Sequence, residues 1–210
     1  MSKRLVGVRA DHPYSYRKLE TTATHVRQQL NIPPHEAVDP LRLFEGLDDI
    51  RIGRRSGLPI PLRHGVISLE ESEGYTKYDR KRGVIEVLAS EQTYEWLEQS
   101  YPRATYFVAH ELGHCVLHTE QLIRLAHTPA TRLEGLHRGK ATHKPYQDTE
   151  WQANAFAGAL LMPATGLLAL ERAIGSLTAT DVSEFFGVSN EAAGYRIALY
   201  SNRRAELVHS

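Results

Sequence analysis

The chain has 210 residues, 41% hydrophobic and 24% charged, an ordinary globular composition with enough length to bury a sizeable core. Lysine plus arginine equal aspartate plus glutamate at 25 each, so no global charge draws the protein to nucleic acid or to an anionic membrane. One cysteine excludes an internal disulfide framework, and no apolar run reaches the roughly 18 residues of a membrane span. The N-terminal MSKRLVGVRADHPY has no apolar centre of signal-peptide length, so a cytoplasmic protein without membrane contact is expected.

Residues 15–30 carry helical spacing through Leu19, Ala23, Val26 and Leu30, and Asn31-Ile32-Pro33-Pro34 ends that helix. Asp39-Pro40 starts another, the aspartate as cap and the proline in the first turn. Strands are expected at Ile50 to Ile52, Gly65 to Leu69 and Val84 to Leu88, the last two paired as an antiparallel ribbon across a polar stretch. From Glu91 to about Leu125 the pattern is helical with a break near Tyr101-Pro102. A polar, basic connection, 126–147, leads to a helix from Thr149 to Met162 that Pro163 stops. The tail from Ser176 to Tyr200 reads as two short helices around Gly187-Val188-Ser189. Three regions follow: an N-terminal helical region over 1–60, a core over 61–172, and helix-turn-helix-like C-terminal helices over 173–210.

The chemistry concentrates in His110-Glu111-Leu112-Gly113-His114, inside an apolar, helical run. Residues four apart lie one turn apart on the same face. Two imidazoles can therefore converge on one metal ion, with Glu111 placed to act as base toward a water. Five residues in a chain with 11 histidines need corroboration, and a catalytic zinc site needs a third protein ligand. His118 continues the series, but on a straight helix it lies ~12 Å along the axis from His110, too far to share an ion. Glu120 stands where an extended motif has its last histidine, but Leu117 replaces the glycine that turns the chain back there. Cys115 points elsewhere around the helix and reads as a buried free thiol. Glu150 is the strongest candidate. It opens a helix carrying Ala153, Asn154, Ala157, Leu160 and Leu161 on or near one face, and the alanines permit close packing on the HELGH helix. Asn154, one turn on, can accept a hydrogen bond from the outer ring nitrogen of His110.

With HELGH, Glu150-x-x-Ala153-Asn154-x-Phe156-Ala157 and Leu160-Leu161-Met162-Pro163 in place, the chain resembles the ImmA/IrrE family of metallopeptidases over roughly residues 20 to 200. The resemblance implies an α+β, zincin-like metallopeptidase domain: a small twisted sheet, an active-site helix and a glutamate-bearing helix, here with a C-terminal helix-turn-helix-like appendage. It implies His110, His114 and Glu150 as metal ligands, Glu111 as catalytic, and Zn2+ as cofactor, with Mn2+ or another divalent ion also suited to such a donor set. It further implies a protein substrate, a helix-turn-helix repressor whose cleavage releases stress-response or mobile-element genes.

The tetrahedral oxyanion of peptide hydrolysis needs a donor besides the metal, and His127, His137, His143 and Tyr146 stand as candidates. The strand 84–88 is expected to offer its edge to an extended substrate. Over residues 178–204, Asp181, Glu184 and Glu191 balance Arg196, Arg203 and Arg204, which argues against direct DNA binding and for a structural or partner-docking tail. The competing reading is a DNA-binding or protein-docking regulator with a metal site and no turnover.

Overall fold

The computed structural model describes residues 8–54, 57–70, 72–128 and 144–208. Helix α1 (Tyr16–Gln29) opens on Ser15, whose hydroxyl accepts from the Lys18 amide, and its chain turns away at Asn31 with φ 54°. Helix α2 (Pro40–Glu45) is capped by Asp39, which accepts from the Arg42 amide at 2.8 Å, with proline in the first turn as expected. A 3-10 turn, Gly46–Asp49, leads into strand β1 (Arg51–Arg54), followed by β2 (Gly57–Ile67), β3 (Gly74–Asp79) and β4 (Val84–Ser90).

The sheet has the order β1-β2-β4-β3. It corrects the expected ribbon. β2 and β4 are neighbours, but parallel, with Leu62 opposite Ile85 and Ile67 opposite Ser90. The antiparallel partner of β4 is β3, a strand inside the polar stretch between the two expected strands. Its turn is built locally: the Asp79 carboxylate accepts from the amides of Lys81 and Arg82, and Gly83 takes a left-handed φ of 67°. β2 is also longer than its apolar end suggested. Pro59 and Pro61 lie in the half that pairs only with β1, so their missing N–H groups leave the ladder to β4 intact. β2 runs through residues 60 and 61, where the first regional boundary was placed.

Helix α3 (Glu91–Glu98) is followed, after the break at Tyr101-Pro102, by the long helix α4 (Pro102–Ala126), which carries HELGH. Its backbone leaves helical geometry at His118 (φ −122°, ψ 20°). Helix α5 (Thr149–Leu161) begins at Asp148, whose carboxylate accepts from the Glu150 and Trp151 amides. Helices α6 (Ala164–Ile174), α7 (Ala179–Phe186) and α8 (Asn190–Val208) complete the described chain, with Gly187 left-handed between α7 and α8 and Ser189 accepting from the Ala192 amide. No single described helix is long and apolar enough to cross a membrane.

One hydrophobic core runs from Leu19 to Leu207 and joins α1, the inner sheet face, α4, α5 and the tail helices. A buried ion pair fixes the tail. Arg196 of α8 and Glu20 of α1 are each 4% exposed and meet at 2.6 Å. Glu20 also accepts from the Ala164 amide, and Arg196 donates to the Met162 carbonyl, so the pair closes the α5–α6 corner. With both carboxylate oxygens of Glu20 and the Nε and Nη2 of Arg196 hydrogen-bonded, two charges can remain buried at that corner.

Candidate metal centre

Helices α4 and α5 cross where Gly113 meets Ala153. A methyl group built on Gly113 stands 3.1 Å from the Ala153 Cα and 3.1 Å from the Phe156 ring. The absence of that methyl lets the backbones approach, and the approach carries Glu150, one turn before Ala153, up to the histidines of α4.

The structure brings His110, His114 and Glu150 together. The Nε2 atoms of the two imidazoles are 3.0 Å apart. Glu150 Oε2 lies 3.2 Å from His110 Nε2 and Glu150 Oε1 lies 3.3 Å from His114 Nε2. All three offer a donor atom within 4.8 Å of the others, which makes a possible metal site. Two nitrogens and a carboxylate oxygen, partly exposed on a cleft, match the donor set and open face of a catalytic zinc centre. Their outer atoms are engaged as such a centre requires: His110 Nδ1 lies 3.0 Å from Asn154 Oδ1, the contact expected from the helical spacing of Glu150 and Asn154.

Burial opposes protonation of His110, but its hydrogen bond to Glu150, the charges of Glu111 and Glu150 and the Asn154 contact outweigh that and hold its pKa above the usual value. Burial likewise pushes the Glu150 carboxyl up, and the hydrogen bonds and charges of His110 and His114 overcome it, leaving the carboxyl well below the usual range. Glu150 is thus a firm carboxylate.

His118 does not join the three donors. It is 5% exposed, its Nδ1 is 3.2 Å from His114 Nδ1, and its Nε2 is 2.9 Å from Gln152 Oε1. Burial drives its pKa down to about 4. Cys115 is buried and its thiol is pushed up by the same cause.

Glu111 lines a cleft of about 830 Å³ together with His110, Glu150 and Asn154. On one side the cleft is bounded by Glu73 and Gly74 at the start of β3 and by Arg103, which is ion-paired to Glu73. On the other side stand Ser189, Glu191, Ala192 and Tyr195, from the start of α8. The tail therefore forms a wall of the cleft, which its sequence did not reveal. Tyr106 lies on the floor, its hydroxyl donating to the Asn154 carbonyl at 3.1 Å.

Strand β4 has no free edge, since β2 and β3 flank it; among the described residues the edge strands are β1 and β3, and the start of β3 is the one that borders the cleft. Of the proposed oxyanion donors, His127 caps the far end of α4 and contacts the Ile123 carbonyl. It is 17 residues past His110, about 25 Å along a helix, so it does not reach the cleft. Tyr146 is 40% exposed and outside the cleft lining, and His137 and His143 lie outside the described residues.

Comparison with curated proteins gives no match. Among solved structures, a Mycobacterium tuberculosis transcriptional regulator aligns over 86% of this chain at 17% identity with a TM-score of 0.47. This chain spans about half of that one, 55% of its length. Residues 98–198 match the family model described as IrrE N-terminal-like domain, Peptidase_M78, a range that holds HELGH, Glu150 and the start of α8. Over residues 98–198, therefore, the chain is similar to an IrrE N-terminal-like domain, in line with the resemblance to the ImmA/IrrE metallopeptidases that its motifs carry.

Proposed function

We propose that this protein is a metal-dependent endopeptidase that acts on another protein. The observation that carries the reading is the convergence of two imidazole nitrogens and a carboxylate on one point, with a second carboxylate, Glu111, in the same cleft and without a hydrogen-bond or ion-pair partner among the described residues. A docking module with a structural metal needs the three donors and has no use for Glu111.

His110, His114 and Glu150 would hold the ion, which as zinc would supply Lewis acidity toward a substrate carbonyl and a water. Glu111 takes the proton from the attacking water and delivers it to the departing amine, the two halves of general base and general acid work. The free edge of β3 pairs with the main chain of an extended substrate and lays it across the cleft, while the start of α8 on the opposite wall selects what enters. Arg196, the one arginine among the first turns of α8, is buried against Glu20 and unavailable to phosphate, which favours protein docking over DNA reading by this tail. The substrate implied by the family is a helix-turn-helix repressor, and its cleavage would release stress-response or mobile-element genes.

The test pairs two variants against a helix-turn-helix repressor encoded beside this protein's gene, with and without chelator. Glu111→Gln is expected to keep zinc and lose cleavage, and Glu150→Ala to lose both. Full cleavage by Glu111→Gln removes the base assignment; undiminished zinc binding by Glu150→Ala removes the ligand assignment.

A further inference from the structure

His114 presents its Nε2 to the site only if that nitrogen carries no proton, and which ring nitrogen is protonated depends on what the other one bonds. For His110 the partner is a side-chain amide oxygen. For His114 it is another imidazole, and a pair of imidazoles has no built-in direction. The direction comes from further back.

Gln152 Nε2 lies 2.8 Å from the His12 carbonyl and 2.8 Å from the Tyr146 carbonyl. Carbonyl oxygens only accept, so the amide nitrogen belongs there, both its hydrogens are used, and Oε1 is turned toward His118. That oxygen also only accepts, at 2.9 Å, so His118 carries its hydrogen on Nε2. The ring is 5% exposed, and with the Nε2 hydrogen given to Gln152, Nδ1 is the nitrogen left to accept. Nδ1 of His118 and Nδ1 of His114 are 3.2 Å apart and share one hydrogen, which His114 must supply. With its Nδ1 hydrogen directed to His118, His114 turns Nε2 to the site, 3.0 Å from His110 Nε2 and 3.3 Å from Glu150.

We propose that Gln152 and His118 form a relay that fixes His114 in the tautomer able to bind metal, with His118 a positioning residue and not a ligand. The relay explains why a third histidine stands at the i+8 position of HELGH without joining the site. Both of its ring nitrogens are committed to hydrogen bonds. It also explains why residue 152 is an amide: two acceptors on one side and a donor on the other match glutamine, whereas a glutamate would set its charge against two carbonyls. The anchors of the amide are the segment before α1 and the turn before α5, so the same contacts that hold the start of the Glu150 helix orient His114. Gln152 is fully buried, which keeps water from substituting for any link.

This inference rests on the metal reading above, so the test separates the two. In the metal-free full-length protein at alkaline pH, two-bond nitrogen–proton correlation spectra of the imidazoles report each tautomer directly. The expected result is His118 protonated on Nε2 and His114 on Nδ1 in the wild type. Gln152→Leu should let His114 revert toward the Nε2-protonated form that an isolated imidazole favours. Zinc affinity, measured by competition with a chromogenic chelator, should fall 10–100-fold in Gln152→Leu and in His118→Leu. His118→Gln, which restores an acceptor for His114, should recover part of the loss. A wild-type His114 protonated on Nε2 overturns the relay without any variant. Zinc bound equally by the wild type and both leucine variants overturns the relay and leaves the metal site standing, while a wild type that binds no zinc overturns both.

Discussion

Replacing Gly113 by alanine tests whether the approach of α5 to α4 sets the metal site. In a helix interior alanine is favoured over glycine by about 1 kcal/mol, so propensity alone predicts a stabilised protein. The structure opposes it. The added Cβ would stand 3.1 Å from the Ala153 Cα, 3.1 Å from Phe156 Cδ1 and 3.2 Å from the Ala153 carbonyl oxygen. Carbon atoms pack best at about 3.5–4.0 Å, so the shortfall is about 0.4 Å at the closest atoms. The Phe156 ring can turn slightly, but the Ala153 backbone can yield only if α5 moves. Overpacking of this kind costs about 1–3 kcal/mol, which against the propensity gain leaves a net loss of about 0–2 kcal/mol. The consequence for the site is sharper. Glu150 travels with α5, and a retreat of about 0.4 Å exceeds the roughly 0.2 Å tolerance of metal–ligand distances. Zinc affinity should therefore fall although no donor has been changed. Urea unfolding of the metal-free protein and chelator competition measure the two quantities separately. A Gly113→Ala protein that is about 1 kcal/mol more stable, with zinc affinity unchanged, would refute the argument that this contact is tight and that it positions Glu150.

Two further predictions concern charge. Glu20→Ala strands the Arg196 guanidinium in a 4% exposed position and should cost about 3–5 kcal/mol in chemical denaturation, whereas Glu20→Met combined with Arg196→Leu should recover most of that loss; equal losses in both would show that the pair's charge is not what matters. The second is a pH dependence. His110 has a pKa above its ordinary 6.5, so near neutral pH part of the metal-free population carries a proton there that zinc must expel, and affinity should weaken as pH falls through that raised value. In the metal-free fold the same raised pKa contributes stability below 6.5 that is lost as pH rises through the folded value. The depressed Glu150 carboxyl contributes above 4.5 and loses its contribution as pH falls. Both contributions are present together between 4.5 and 6.5. Titration calorimetry in two buffers of different ionisation heat reads the expelled proton; identical observed heats in the two buffers near neutrality, meaning no proton released, would contradict the shift.

What could be read from sequence and what could not divides by the range of the interaction. The caps at Asp39-Pro40 and Ser189, the break at Tyr101-Pro102 and the pairing of His110 with Asn154 depend on spacings within one turn, or on two short motifs in known order, and all appear where expected. The sheet order is not legible in the sequence because its pairing is non-local. Tyr75, Thr76 and Lys77 give an edge strand only half-buried, without an apolar run, and nothing near Gly65 announces that its strand lies parallel to β4. Gln152 escaped notice for the same reason: its meaning lies in carbonyls contributed by His12 and Tyr146 and in a histidine 34 residues upstream. The tail makes the point most strongly. Its two helices and their glycine turn were legible, but which face they present was decided by Glu20, 176 residues before its partner Arg196. That one buried contact draws the only arginine of the early α8 turns inward and, with the core beneath it, leaves Ser189, Glu191, Ala192 and Tyr195 along the metal cleft. A tail whose balanced charge already argues for packing or docking rather than DNA reading is thereby set as one wall of the cleft that holds His110 and Glu150, and the residue that does so lies in the first helix of the fold.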